Sequence, residues 1–260
     1  MRLLLPSNTA RLLLAALLFT PSLSLAQAQD AATYDKCLAL ARKDPAEGFE
    51  TGSSWRDHGG GVPAEHCVAI ALVGLKQYGE AATRLEKLAS EMVRESDALR
   101  ADVLSQAAEA WSEGGQPKNA DGDLTEAIKL APKKPEYLVN RAVARAQYQD
   151  YKNAVDDLNR ALAQGPRADA LAYRASAWRY LNDLKQARSD ADASVKLDPG
   201  LIAGWLELGN IKRLSQDDAG ARKAWLKVIE LAPDSAAADD ARDNIATLDV
   251  HIDTPPAAAK

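Results

Sequence analysis

Three sets of residues have types and spacings that could do chemistry. The run His58-Gly59-Gly60-Gly61 could present backbone amides to a tetrahedral anion, as an esterase's oxyanion hole does. No G-x-S-x-G elbow accompanies it and no strand–helix alternation surrounds it, so a turn between helices is the better reading. Cys37, Cys67, His58 and His66 are of the types that bind zinc. Neighbours such as His66 and Cys67 project about 100° apart on a helix, which disfavours one shared ion. The paired carboxylates Asp156-Asp157, Asp217-Asp218 and Asp239-Asp240 diverge in the same way, whereas a catalytic pair must converge; they read as solvated helix faces. No phosphate-cradling G-x-x-x-x-G-K-[ST] loop occurs. The expectation is a protein that is not an enzyme and holds no metal and no cofactor.

Composition narrows the class further. Of 260 residues, 47% are hydrophobic and only 5% aromatic, and the abundance of Ala and Leu points to helices rather than strands. The formal net charge of -5 argues against nucleic acid as a partner. Residues 1–28 read as a secretory signal: Arg2 and Arg11 are basic, Leu12 to Phe19 is apolar, and Ala26-Gln27-Ala28 offers small residues for cleavage. The apolar run is 8 residues long, where a membrane span needs about 20. The expected outcome is a periplasmic protein with no stable span once the signal is removed.

What must position any functional residue is a repeated helical hairpin. Small residues recur at Ala69, Ala108, Ala142, Ala175 and Gly209, and again at Ala81, Ala120, Ala154, Ala187 and Ala221, both series stepping by 39, 34, 33 and 34. Pro132, Pro166, Pro199 and Pro233 close successive units, since proline ends a helix. In the last unit Trp205, Leu208 and Gly209 followed by Ala221, Trp225 and Pro233 give W-x2-L-G and A-x3-aromatic spacing. On these residues the chain resembles the tetratricopeptide-repeat family. The resemblance spans 62–233 and implies an all-α, right-handed solenoid of five repeats (62–100, 101–134, 135–167, 168–201 and 202–233). Before them stands a degenerate hairpin (29–61); after them come a capping helix (234–249) and a disordered tail (250–260). Arg141 and Arg174, where the family has leucine, are expected to weaken their seams. The connection at 90–100 holds the extra residues of the first step, and its conformation is left open.

Cys37 and Cys67 lie in matching contexts, Cys-Leu-Ala-Leu-Ala and Cys-Val-Ala-Ile-Ala, on first helices of neighbouring hairpins. Export, an even count and equivalent positions predict a disulfide, the alternative being two buried thiols packed as small apolar groups.

Such repeats are interaction scaffolds, so the resemblance implies a protein or peptide partner and leaves its identity and the oligomeric state open. Carrying over the inner-face positions gives an acidic early end at Asp102, Gln106 and Glu109. Then follow Asn140 and Val143, next Tyr173, Ser176, Arg179 and Tyr180, and finally Glu207, Asn210 and Arg213. The late aromatic and basic residues are expected to form the main contact patch. The leading function is a non-enzymatic scaffold of the bacterial envelope. The alternatives are a binder of a small ligand or wall fragment, and an accessory subunit of an envelope enzyme.

Overall fold

The computed structural model describes residues 22–252, with side chains placed for 31–249. Among the described residues are thirteen α-helices and no strand. They are α1 (Ser22–Lys43), α2 (Pro45–Asp57), α3 (Gly61–Gly74), α4 (Tyr78–Glu91), α5 (Asp97–Glu113), α6 (Pro117–Leu130) and α7 (Pro135–Gln147). The second half comprises α8 (Tyr151–Leu162), α9 (Ala168–Tyr180), α10 (Leu184–Leu197), α11 (Ile202–Leu214), α12 (Asp218–Leu231) and α13 (Ala236–Ile252). The leader expected at 1–28 lies outside the described residues except for its last few, which belong to α1. The tail expected at 250–260 is also outside them, apart from 250–252, which are helical and extend α13.

Each helix packs mainly on the next, which makes an all-α solenoid. The turns inside five hairpins share one backbone shape. Lys76, Gly115, Gln149, Asn182 and Gln216 have φ of 59°, 71°, 68°, 61° and 63°, the left-handed conformation that reverses the chain after a helix. In three of them the next residue is an aspartate, Asp150, Asp183 or Asp217. Its carboxylate accepts the N–H of Asn153, Gln186 or Gly220 and caps the following helix. Helices α5, α7, α9 and α11 also touch their counterparts one hairpin on, whereas the second helices of the hairpins do not pack on one another to this extent. The first helices therefore form the shorter, concave side of the stack.

The seams are built on small residues: Ala81, Ala120, Ala154, Ala187 and Ala221 are all 0–1% exposed. In the last hairpin the Trp225 indole packs against Gly209, where a Cβ would collide with the ring. Gly209→Ala should cost about 1–3 kcal/mol by overpacking, read as a lowered urea midpoint; an unchanged midpoint would mean that the indole has room to move. The first hairpin works similarly. Gly48 is buried against the Ala41 backbone and Gly52 against Val68 and Cys37, so these glycines let α1, α2 and α3 approach closely. The connection left open at 90–100 is a short turn over Met92 to Ser96. Met92 is buried and Ser96 caps α5, which begins early and takes up the additional length.

At Arg141 and Arg174, where weakened seams are expected, each arginine grips a carboxylate on its hairpin's second helix. Arg141 donates to both oxygens of Asp157, at 2.8 and 2.6 Å, and to Thr125 at 2.9 Å. Arg174 donates to Asp190 at 2.7 Å through both nitrogens of its fork. Asp157 is thus not on a solvated face: it is 1% exposed and also accepts from Arg145 at 2.8 Å. The arginines can bury their aliphatic stems in the seam while their guanidinium forks satisfy the carboxylates.

One hairpin earlier the equivalent positions are Ala107 and Asp123, so the acid is kept without its arginine. Burial, with the neighbouring Glu86 carboxylate second, pushes the Asp123 carboxyl up to about 7. Glu86 itself accepts the Trp111 indole N–H at 2.7 Å. In the unfolded chain Asp123 ionises near 4. Unfolding between pH 4 and 7 therefore releases a proton, and this group's contribution to stability falls as pH rises through that window. Asp123→Asn should leave stability unchanged at pH 4 and raise it at pH 8 by about 1–2 kcal/mol after discounting for partial solvent access. Equal shifts at both pH values would refute the assignment.

Candidate interaction groove

The concave side carries a chain of adjoining cavities. A cavity of about 270 Å³ is walled by Glu109, Glu113, Val139, Asn140, Val143 and Tyr173, among others. It shares Ser105, Glu109, Val139, Asn140 and Asp169 with a wider one of about 570 Å³ towards the N-terminal end. On its other side it shares Val143, Gln147 and Tyr173 with a third, of about 230 Å³, where Tyr151 and Ser176 join the wall. A fourth, of about 320 Å³, is mainly apolar, lies between Tyr34, Val62, Met92 and Leu99, and meets the wide cavity at Leu99, Asp102 and Gln106. The groove lining repeats because residues one hairpin apart are equivalent: Gln106, Asn140, Tyr173 and Glu207 form one row, and Glu109, Val143, Ser176 and Asn210 another.

Most groove charges have partners. Asp102 accepts from Lys134 at 2.7 Å and from Tyr137 at 2.5 Å. Burial acts to raise its pKa, but these bonds outweigh it and hold the carboxyl below its ordinary value. Tyr137, desolvated and donating to Asp102, is pushed up to about 12. Arg167 joins Asp169 at 2.8 Å and Glu136 at 2.6 Å, and its bond to Asp169 is the main cause lowering that carboxyl's pKa. Glu109 and Glu113 have no hydrogen-bond or ion-pair partner among the described residues. Glu109 is open to solvent, yet protein flanks it on the concave floor, and this partial burial raises its pKa.

The candidate contact residues fall into separate groups. Asn140, Tyr173 and Ser176 line the connected cavities; Asn140 donates to Ser105 at 3.3 Å, and Tyr173 is 41% exposed. Arg179 is not a free cation: it donates to the buried Glu207 at 2.5 and 3.3 Å, and its guanidinium sits 4.3 Å above the Tyr180 ring. Tyr180 in turn stacks on Tyr151, rings 4.6 Å apart and 3° from parallel. Asn210 is committed to the Trp225 indole, whose N–H it accepts at 3.2 Å, and Arg213 pairs with Asp218 at 3.3 Å near the end of its helix. Sequence reasoning passed over Glu113, Gln147 and Tyr151. The first two stand one turn beyond Glu109 and Val143, so extending the same rows by four residues would have found them.

Cys37 and Cys67 are joined in a disulfide between α1 and α3, Cα atoms 6.0 Å apart, both buried. Their neighbour His66 bridges three helices: its Nε2 bonds Gln106 Oε1 at 2.6 Å and its Nδ1 the Tyr34 hydroxyl at 2.8 Å. Both ring nitrogens are thereby occupied, and burial lowers the pKa, so the ring is neutral at pH 7. His58 is exposed and bonds the Ser54 carbonyl at 2.7 Å, with Gly59 and Gly60 in the turn between α2 and α3.

No family model matches the sequence, and no curated protein matches it either. Solved structures do match in shape. The C-terminal part of a TPR repeat-containing protein from Cytophaga hutchinsonii is 16% identical, with a TM-score of 0.59, over 84% of this chain and 95% of that one. MamA from residue 41 onward, from Desulfovibrio magneticus RS-1, is 20% identical with a TM-score of 0.55, over 67% of this chain and 97% of that one. A further MamA crystal structure is 17% identical with a TM-score of 0.53, covering 63% and 94%. At such identities the likeness is one of fold. Together with the hairpin period and the small-residue seams it establishes that this chain has the tetratricopeptide-repeat fold.

Proposed function

We propose that the protein is a non-enzymatic interaction scaffold of the bacterial cell envelope, exported to the periplasm, and that it binds an extended segment of a protein partner along its concave groove. The observation that carries this reading is the continuity of the cavities over α5, α7 and α9, walled by Asn140, Val143, Tyr173 and Ser176. A strand laid there meets side-chain amide and hydroxyl groups for its backbone and apolar walls for alternate side chains. The disulfide supports the compartment, since such bonds persist in oxidising spaces. No helix among the described residues is long and apolar enough to cross a membrane.

The test compares wild type with Val143→Arg combined with Tyr173→Ala, both immobilised and exposed to envelope extract and to purified wall fragments. Wild type should retain a defined protein set that the double variant loses, with helical circular dichroism unchanged. Retention equal in both forms would rule out the groove. Retention of wall fragments alone would favour the small-ligand reading.

A further inference from the structure

The charge pattern of the groove selects among peptides. Asp102, Glu136, Asp169 and Glu207 each have a resident cation or donor, in Lys134, Arg167 or Arg179. Glu109 and Glu113 have none, although they stand one turn apart on α5 and wall the same cavity. Val139, Val143 and Tyr173 line that cavity with them, and the Tyr173 ring carries no cation of its own among the described residues. Two unpaired carboxylates beside an aromatic ring and aliphatic walls make a slot for a long side chain with an apolar stem and a cationic head.

Resting on the groove reading, we propose that the bound segment is a basic peptide that inserts a lysine or arginine side chain between Glu109–Glu113 and Tyr173. The stem lies on Val139 and Val143, the head donates to the two carboxylates, and the ring face covers the cation. An acidic peptide is disfavoured in this cavity, because Asp169 also lines it and the arginine beside Asp169, Arg167, is engaged with Asp169 and Glu136. The raised pKa of Glu109 fits an acid that lacks its counter-charge until the ligand brings one.

A phage-displayed random dodecapeptide library, panned on the full chain at low salt, tests this. Wild type should enrich lysine and arginine and deplete aspartate and glutamate relative to the input library. Selected peptides should bind Glu109→Gln/Glu113→Gln about tenfold more weakly, the loss expected for two partly exposed charge pairs, and should bind more weakly in high salt. Peptides selected on wild type that bind the double glutamine variant within twofold would overturn the charge assignment while leaving the groove reading intact, as would a neutral or acidic selection. If the library enriches no differently on wild type and on Val143→Arg/Tyr173→Ala, both the assignment and the groove reading fail. Tyr173→Phe, which keeps the ring, should bind within twofold of wild type, whereas Tyr173→Ala should not; equal loss in both would remove the ring from the site.

Discussion

Arg141→Leu should lower the unfolding free energy by about 3 kcal/mol, the lower end of what breaking a buried ion pair costs. The loss comes less from the missing bonds than from Asp157, which stays 1% exposed with its bidentate partner gone. Arg145 still reaches it, which keeps the cost from running higher. Arg141→Leu with Asp157→Leu should recover most of the stability, because an apolar pair of similar volume leaves no stranded charge. Urea titration of the single and double variants is the measurement. Arg160→Leu is the control: its side chain is 55% exposed and 3.3 Å from the same aspartate, so its loss should stay below about 0.5 kcal/mol. A double variant as unstable as Arg141→Leu would mean that the pair acts through geometry that leucines cannot copy.

Replacing both Cys37 and Cys67 with alanine should cost about 3–4 kcal/mol, the loop-closure value for a bridge spanning 30 residues. Both side chains are buried, at 2% and 0% exposure, so alanine fits the space and the change reports chiefly on the cross-link. The loss should appear as an early transition confined to α1–α3, whose close contacts at Gly48 and Gly52 depend on those helices staying together. The remaining hairpins should melt at their former midpoint. A single transition at an unchanged temperature would show that packing alone holds the first hairpin.

The fold was legible because its determinants are local and repeated. Alanines at 81, 120, 154, 187 and 221 mark where helices must approach, and prolines mark where they must stop; both signals survive without knowing any neighbour. The disulfide was legible for the same reason, since equivalent positions on adjacent units are adjacent in space. The arginine–aspartate pairs were not. Each of the two residues looks misplaced alone, an arginine at a leucine position and an aspartate on a helix, and only their common spacing of 16, found in two successive repeats, joins them. Of the expected contact residues, Asn140, Tyr173 and Ser176 line the connected cavities, while the charged ones are engaged elsewhere. Arg179 looks available in sequence, but whether an arginine is free depends on a residue 28 positions away, Glu207.

The left-handed turns have a consequence of their own. Lys76, Gln149, Asn182 and Gln216 hold a conformation that costs an L-residue about 1 kcal/mol or more relative to glycine, yet only one of the five equivalent turns, at Gly115, uses glycine. Glycine would ease the turn and at the same time free the chain before it folds. The four bulkier residues make the corners of their own hairpins stiffer than glycine would, so those hairpins resist opening like a jaw. Any bending of the stack then falls to the seams between units, as a spring shares its flexing among its coils.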